Sequence, residues 1–164
     1  MSEEILINIT PMESRVAVVE NGVLQEVHVE RTQRRGIVGN IYKGKIVRVL
    51  PGMQAAFVDI GLDRAAFIHA SEISLREGQA VESIGTLVHE GQSLVVQVTK
   101  DPIGSKGARL TTQLSIPSRY LVYMPRTAHV GISLKIEDEA ERERLKQVVS
   151  DCVAQEGIKE AGGF

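Results

Sequence analysis

The chain has 164 residues, 43% of them hydrophobic and 24% charged, which is a globular composition and excludes a wholly disordered chain. Its formal net charge of -2 argues, taken as an average, against a nucleic-acid-binding protein. No apolar run approaches the roughly 18 to 20 residues of a membrane helix, and the acidic start does not resemble a signal peptide, so we expect a cytoplasmic protein without a membrane span.

Residues 4–30 predict three antiparallel strands. Apolar, β-branched runs cover residues 4–9, 15–20 and 23–30. Asn21-Gly22 separates the last two runs, and this dipeptide is a strong hairpin signal because both residues tolerate positive φ. We therefore expect a small antiparallel sheet at the start of the chain.

The third of these strands alternates between apolar and polar side chains. The two sets are Val23, Val27 and Val29 on one parity and Glu26, His28 and Glu30 on the other. This alternation predicts one buried and one exposed face, with His28 on the surface rather than at a metal. A sheet of three strands needs a cover over its apolar face, which this chain need not supply in full.

Residues 38–117 predict a small barrel. Five strand-like runs cover residues 41–50, 54–60, 65–69, 94–99 and 108–114, and Gly- and Pro-containing turns separate them. Five short strands with a longer excursion after the third are typical of a closed barrel of the OB type.

The last part of the chain predicts a linker and a helix. Pro117 begins the linker, and residues 138–153 have helical periodicity, with a stop at Gly157. The apolar stripe consists of Leu145, Val148, Val149, Cys152 and Val153. Because Cys152 lies on it, we expect a buried, inert thiol. Asp138–Arg142 and Glu141–Arg144 have the spacing of helical ion pairs.

The charges are segregated along the chain. Residues 31–58 contain six Lys and Arg residues and no acid, whereas residues 137–160 are strongly acidic. A local electropositive surface is therefore compatible with the weakly negative total. Charge alone more often marks an ordinary solvated surface.

Two phenylalanines lie in the barrel segment with outward parity. Ala56, Val58 and Ile60 form the apolar parity of one strand, so Phe57 is expected to point away from the core, and the same reasoning turns Phe67 and His69 outward. Outward aromatic rings among cations are what single-stranded nucleic acid binding requires, since bases stack on the rings and cations hold the phosphates. The alternative, that one ring fills a barrel end, stays open.

The sequence offers no signal for a resident cofactor. Cys152 is the only cysteine, so no internal disulfide can form, and no zinc-site spacing occurs. Phosphate-binding and nucleophile motifs are absent. The acids Asp59, Asp63, Glu72 and Asp101 are scattered, so we expect no metal and no catalytic residue here, and we read Asp59 as a surface or turn-capping acid.

Several segments together resemble the S1 RNA-binding domain and, more specifically, the amino-terminal part of the bacterial ribonuclease E/G family. They are Asn40-Ile-Tyr-Lys-Gly44, Met53-Gln-Ala-Ala-Phe-Val-Asp59, Phe67-Ile-His-Ala-Ser-Glu-Ile73, Lys106-Gly-Ala108 and Ser118-Arg-Tyr-Leu-Val-Tyr-Met-Pro125. The resemblance covers nearly the whole chain, in order. It implies a mainly β protein of three parts: a partial ribonuclease-H-like sheet (1–37), an S1 domain (38–117) and the start of an α/β 5′-sensor subdomain (118–164).

The resemblance also implies site residues and a reaction. Those expected at single-stranded RNA are Phe57, Phe67, His69, Lys43, Lys45, Lys100, Lys106 and Arg109, and Ser118 and Val122 match one wall of the family's sensor for 5′-monophosphorylated ends. The family cleaves RNA with Mg²⁺ on carboxylates that come later in its members. We therefore expect a fragment of such an endoribonuclease of RNA processing, inactive alone.

Two other hypotheses about the chain remain open. The barrel could be a protein-interaction module whose phenylalanines anchor an interface. The uncovered strands also leave the chain open to self-association as a homo-oligomer.

Overall fold

The computed structural model describes residues 2–73, 83–127, 129–157 and 162–164. The chain divides into two compact units, Met1–Ile37 and Val38–Phe164. The strands are β1 (Glu3–Ile9), β2 (Glu13–Glu20), β3 (Val23–Arg31), β4 (Ile41–Leu50), β5 (Ala55–Asp59), β6 (Ala66–His69), β7 (Ser93–Lys100), β8 (Arg109–Thr111), β9 (Ile116–Pro117) and β10 (Val122–Tyr123). The helices are α1 (Ile84–Leu87) and α2 (Glu139–Gln155), with 3₁₀ turns at Thr32–Arg34, Pro51–Met53 and Ala70–Glu72. The predicted mainly β class is confirmed.

The first unit is a three-stranded antiparallel sheet in the order β1-β2-β3. Asn21 has φ +49° and Gly22 has φ +78° between β2 and β3, so the predicted hairpin turn is confirmed. His28 is exposed, as expected, and its Nε2 lies 3.1 Å from Oε2 of Glu26.

A β-bulge in this hairpin corrects the predicted faces of β3. Val18 lies opposite Glu26, but Val19 lies opposite Leu24, so one extra residue stands in β3. Because such an insertion reverses the alternation, Leu24 shares a face with Val27, and Val23 lies on the other face. The prediction that Val23, Val27 and Val29 share one face was wrong for Val23.

The described residues of this unit bury neither face of the sheet. Val27 is 55% exposed and Val29 52% exposed on one face, and Ile5 and Ile7 are 61% and 64% exposed on the other. The predicted buried face is therefore wrong, because the unit consists of one layer and has no second layer to pack on it.

The second unit contains a closed five-stranded barrel in the order β4-β5-β6-β8-β7, which confirms the predicted barrel. Its core is made of fully buried aliphatic side chains: Ile46, Val58, Ile68, Ile84, Val96, Val98 and Leu110. Each such side chain stabilises the fold by about 1.5–3 kcal/mol. The parallel pairing of β6 with β8 closes the barrel.

A short hairpin follows the barrel where the sequence predicted a linker. Pro117 lies in β9, which pairs with β10, so the linker prediction was wrong at this point. Its root is held by the side chain of Gln97, which is only 7% exposed. The Gln97 amide accepts a hydrogen bond from Ser115 N at 2.8 Å and donates one to the Ser115 carbonyl at 2.8 Å.

Helix α2 begins after Asp138, whose carboxylate accepts a hydrogen bond from the Ala140 amide at 3.0 Å. The helix ends before Gly157, which has φ +64° as the predicted stop requires. Arg144 forms the predicted pair with Glu141 at 2.6 Å. Arg142 does not pair with Asp138 as predicted, because its guanidinium donates instead to backbone carbonyls, including that of Ser133 at 2.8 Å.

The predicted burial of Cys152 was wrong, since its side chain is exposed. Arg142, Leu145, Lys146, Val149 and Val153 are half-buried residues that share one face of this helix. The half-buried side of α2 therefore includes Arg142, and the side of the apolar stripe that carries Cys152 is exposed.

Candidate nucleic-acid interface

The two aromatic rings of the barrel lie side by side on its outer surface. Phe57 of β5 is directly opposite Phe67 of β6, and their ring centroids are 6.2 Å apart at an interplanar angle of 69°. Both rings are half-buried, while their strand neighbours Ala56 and Val58 are fully buried. The rings therefore point away from the core, as strand parity predicts, and the edge-to-face contact fixes them against each other.

Basic residues continue this pair on both sides in a single row. Arg48 of β4 lies opposite Phe57, and Arg109 of β8 lies opposite Phe67. Lys100 of β7 lies opposite Arg109, so each of the five barrel strands contributes one residue. With neighbouring strands about 4.8 Å apart, the row follows roughly 19 Å of curved surface. We call this the Arg48–Lys100 row.

A groove of about 1060 Å³ runs over the row and is deepened by two flanking segments. Met53, 62% exposed, contributes to its lining from the turn after β4, and Ile103, 71% exposed, does so from the loop between β7 and β8. Lys106 and Arg64 also line the groove. The groove therefore combines an apolar aromatic floor with cations.

The loop that carries Lys106 is held in place by three contacts. Ile103 and Lys106 exchange backbone hydrogen bonds of 3.0 and 3.2 Å. The Arg64 guanidinium donates a hydrogen bond to the carbonyl of Gly104. Gly107 packs so closely on the backbone of Ala65 that a Cβ there would collide with the Ala65 carbonyl oxygen. The loop is thus fixed relative to the start of β6.

The groove carries more positive than negative charge. Among the described residues, neither Lys100 nor Lys106 has a carboxylate within 4.0 Å of its ammonium nitrogen. Arg109 is partly compensated, because its Nη2 lies 3.5 Å from Oε1 of Glu72. Asp101 contributes one carboxylate to the lining. Arg48 has no such carboxylate partner among the described residues either, so Arg48, Lys100 and Lys106 are the groove cations available to an anionic ligand.

Five of the residues expected at RNA come together here: Phe57, Phe67, Lys100, Lys106 and Arg109. His69 shares the outer parity but does not line the groove. Its Nδ1 accepts a hydrogen bond from the Ser71 amide at 3.2 Å, which caps a 3₁₀ turn. Lys43 and Lys45 lie further along β4, opposite Val95 and Asp59, and do not line the groove either.

Sequence reasoning missed two groove cations, Arg48 and Arg64. Ile46 is buried, so strict alternation would turn Val47 outward and Arg48 inward. A bulge shifts the register between Ile46 and Arg48, and both Val47 and Arg48 therefore line the groove. The acid-free basic stretch was the available signal for Arg48, whereas Arg64 lies in the predicted turn between residues 60 and 65 and no local pattern indicates that its side chain reaches the groove.

Comparison with known proteins finds two family matches along the second unit. Residues 36–101 match the S1 RNA binding domain family, and residues 115–162 match the Ribonuclease E/G family. Ribonuclease G of Escherichia coli strain K12 is 58% identical over 96% of this chain and 34% of its own length. Ribonuclease G of Haemophilus influenzae is 55% identical over 98% of this chain and 34% of its own length.

The resemblance to the ribonuclease E/G family is thereby confirmed. Ribonuclease E of Haemophilus influenzae is also similar, with 40% identity over 95% of this chain and 17% of its own length. The chain thus spans about a third of the length of the ribonuclease G relatives that it matches.

The residues that ribonuclease E/G resemblance links to 5′ ends lie on the β9–β10 hairpin. Ser118 follows β9, and its amide donates a hydrogen bond to the carbonyl of Leu121 at 2.7 Å. Val122 begins β10 and is 39% exposed. The structure thus places both residues on one hairpin, and their contact with RNA stays a prediction.

The described residues do not fit a Mg²⁺ site. Within residues 2–73, 83–127, 129–157 and 162–164, no three Asp, Glu, His or Cys side chains are grouped so that they could hold a metal ion. Asp59 accepts a hydrogen bond from the Gly61 amide at 2.8 Å, which confirms its interpretation as a turn-capping acid.

No helix of the described part of the chain is long and apolar enough to cross a membrane.

Proposed function

We propose that this chain binds single-stranded RNA in the groove over the Arg48–Lys100 row. The observation that carries the proposal is the register itself, in which Phe57 and Phe67 stand side by side between Arg48 and Arg109. Unpaired bases stack on the two rings, and the flanking cations hold the phosphates on either side. The match of residues 36–101 to the S1 RNA binding domain family supports the same ligand.

Single-stranded rather than double-stranded RNA suits this surface. Stacking needs bases that are not already paired within a helix, and the floor of the groove presents rings and aliphatic side chains instead of a ladder of hydrogen-bonding groups. Each stacked base is worth about 1–3 kcal/mol, so two rings supply a binding energy that tolerates many sequences.

Titration with a fluorescein-labelled single-stranded RNA tests the proposal. Phe57→Ala and Phe67→Ala should each weaken binding about 5- to 150-fold, which corresponds to the loss of one stacked base. Phe57→Tyr is the matched control, since it keeps the ring and should retain most of the affinity. If both alanine variants bind RNA as tightly as the wild type, the proposal that bases stack on Phe57 and Phe67 is contradicted.

A salt series separates RNA binding from a protein-interaction module. Phosphate contacts release counterions, so the affinity for RNA should fall steeply as the salt concentration rises. A protein ligand that used the phenylalanines as interface anchors would show a shallow dependence and no preference for RNA. A weak, salt-independent interaction with RNA would therefore favour the interaction module.

We further propose that the chain is the RNA-binding part of a ribonuclease G-like endoribonuclease of RNA processing, by analogy with the ribonuclease G relatives. In that role it would present rRNA precursors or mRNA to the catalytic machinery in the cytoplasm. Hydrolysis of RNA by such an enzyme would require carboxylates that hold Mg²⁺, and the described residues contain no cluster that could hold the ion. Incubation with Mg²⁺ and a 5′-monophosphorylated RNA should leave the RNA intact, and specific cleavage would contradict this assignment.

Self-association is a separate proposal. It is supported by the apolar side chains that both faces of the first unit expose, such as Ile7 at 64% and Val27 at 55%. Sedimentation velocity over a range of protein concentrations tests it, because a chain that stays monomeric at every concentration would contradict it.

A further inference from the structure

The tip of the β9–β10 hairpin carries an aromatic ring that the protein leaves in solvent. Tyr120 is 87% exposed, and it lies in the four-residue connection between Pro117 and Val122. The connection is closed by the hydrogen bond from the Ser118 amide to the Leu121 carbonyl. The ring is therefore presented on a defined turn and is not packed into the fold.

One face of this ring is already next to a cation. The guanidinium carbon of Arg119 lies 5.2 Å from the Tyr120 ring centroid, which is within cation–π range. With the ring 87% exposed, its opposite face is open to solvent. The pair thus offers a flat apolar surface and a positive charge within a few ångströms of each other.

The surrounding sequence favours an anionic ligand. Residues 102–136 contain no Asp or Glu, and they include five cations: Lys106, Arg109, Arg119, Arg126 and Lys135. A protein partner would need only the apolar surface of the hairpin, whereas an unpaired nucleotide uses the ring and the charge together. The hairpin root is fixed by the paired hydrogen bonds of Gln97 with Ser115, so its start is tied to the barrel.

We infer that Tyr120 is a second base-stacking site for single-stranded RNA, with Arg119 holding an adjacent phosphate. A nucleobase lies on the open face of the ring, opposite the guanidinium. This inference rests on the proposed function for its ligand, but it uses residues outside the Arg48–Lys100 row. RNA that occupies the groove is thereby held at a second point beyond the barrel.

Affinity measurements on single variants of the whole chain test this site. Tyr120→Ala should weaken binding of a labelled 16-nucleotide single-stranded RNA, roughly the largest site of a single OB fold, by about 5-fold or more. Tyr120→Phe should keep the affinity, because stacking needs the ring and not the hydroxyl. Leu134→Ala, at a residue that is 89% exposed, is the control for the loss of an exposed apolar side chain and should change nothing.

A second readout distinguishes direct stacking from an indirect effect. RNA that contains 5-iodouridine should photocrosslink to the peptide of residues 120–126, with the modification assigned to Tyr120 by fragmentation. Tyr123 lies in the same peptide and is the internal control, since its ring packs against Phe164 with centroids 5.4 Å apart. Crosslinks at Tyr123 alone would overturn the inference.

The outcomes separate this inference from the proposed function. If Phe57→Ala and Phe67→Ala weaken binding but Tyr120→Ala does not, the groove stands and the second site is overturned. If only Tyr120→Ala weakens binding, the second site stands and the groove is overturned. A loss with Tyr120→Phe as large as with Tyr120→Ala would also overturn stacking, because the hydroxyl would then carry the contact.

Discussion

Arg64 donates a hydrogen bond to the carbonyl oxygen of Gly104 and so joins the turn before β6 to the loop that carries Lys106. The two segments are 40 residues apart in sequence, and the contact lies at the edge of the groove. Because guanidinium donors fit a carbonyl with defined geometry, this bond restrains the loop more than a surface charge would.

Arg64→Met should loosen the loop and weaken RNA binding several-fold. The methionine keeps an apolar stem but removes the donor to Gly104, at a cost on the order of 1 kcal/mol to the local structure. Hydrogen exchange of residues 102–107 measures the loosening, and a titration measures the affinity. Lys146→Met removes a cation of helix α2 that does not line the groove and is the control. Unchanged exchange in the loop would show that Arg64 does not restrain it.

Lys106→Ala should reduce the salt dependence of RNA binding more than Arg109→Ala does. Lys106 has no carboxylate within 4.0 Å among the described residues, while Arg109 has Glu72 at 3.5 Å. Losing one phosphate contact lowers the slope of log affinity against log salt by about 0.7 to 1. Glu72→Gln should make this slope steeper, because it releases Arg109 from its ion pair. Equal slopes for all three variants and the wild type would contradict phosphate contact at this end of the groove.

Gly107→Ala should destabilise the barrel by about 1–3 kcal/mol, because its Cβ would collide with the Ala65 carbonyl and the backbone must shift. Gly52→Ala is the matched control, since no heavy atom lies within 4 Å of the Cβ position there. Thermal unfolding of the two variants measures the difference. Equal midpoints would mean that the loop is not packed on β6 as described.

The Glu13 carboxylate should titrate below 4.5, its ordinary pKa. The hydrogen bond from Arg15 is the main cause that lowers this pKa, and Arg31 on β3 contributes a second one at 3.4 Å. A lowered pKa in the folded state means that the pair stabilises the sheet above pH 4.5 and loses that effect as the pH falls through the folded pKa. NMR titration should show the Glu13 midpoint rising in Arg15→Gln. A midpoint that this change leaves untouched would contradict the pairing.

Much of this fold could be predicted from local pattern. Asn21-Gly22 indicated the hairpin because only a few residues accept its two positive φ angles. Alternation turned Phe57 and Phe67 outward because Val58 and Ile68 had to face the core, where both are fully buried. These features depend on residues that are neighbours in sequence.

The errors come from features that depend on distant partners. Each of the two bulges inserts a single residue and so changes the face on which Leu24 or Arg48 lies. The pairing with the partner strand determines the position of each insertion. Cys152 lies on an apolar stripe, but the packing of α2 decides which flank of that stripe is covered. Arg142 bonds to carbonyls instead of Asp138 because the backbone at Ser133 is brought to it by the fold.

NMR of the protein with labelled phenylalanine tests the central claim most directly. The chain has three phenylalanines, and Phe164 packs against Tyr123 and does not line the groove, so it serves as a comparison ring. Addition of single-stranded RNA should move the ring resonances of Phe57 and Phe67 upfield through the ring currents of the stacked bases, and should move them further than those of Phe164. Ring resonances of Phe57 and Phe67 that do not move at saturating RNA would contradict the account.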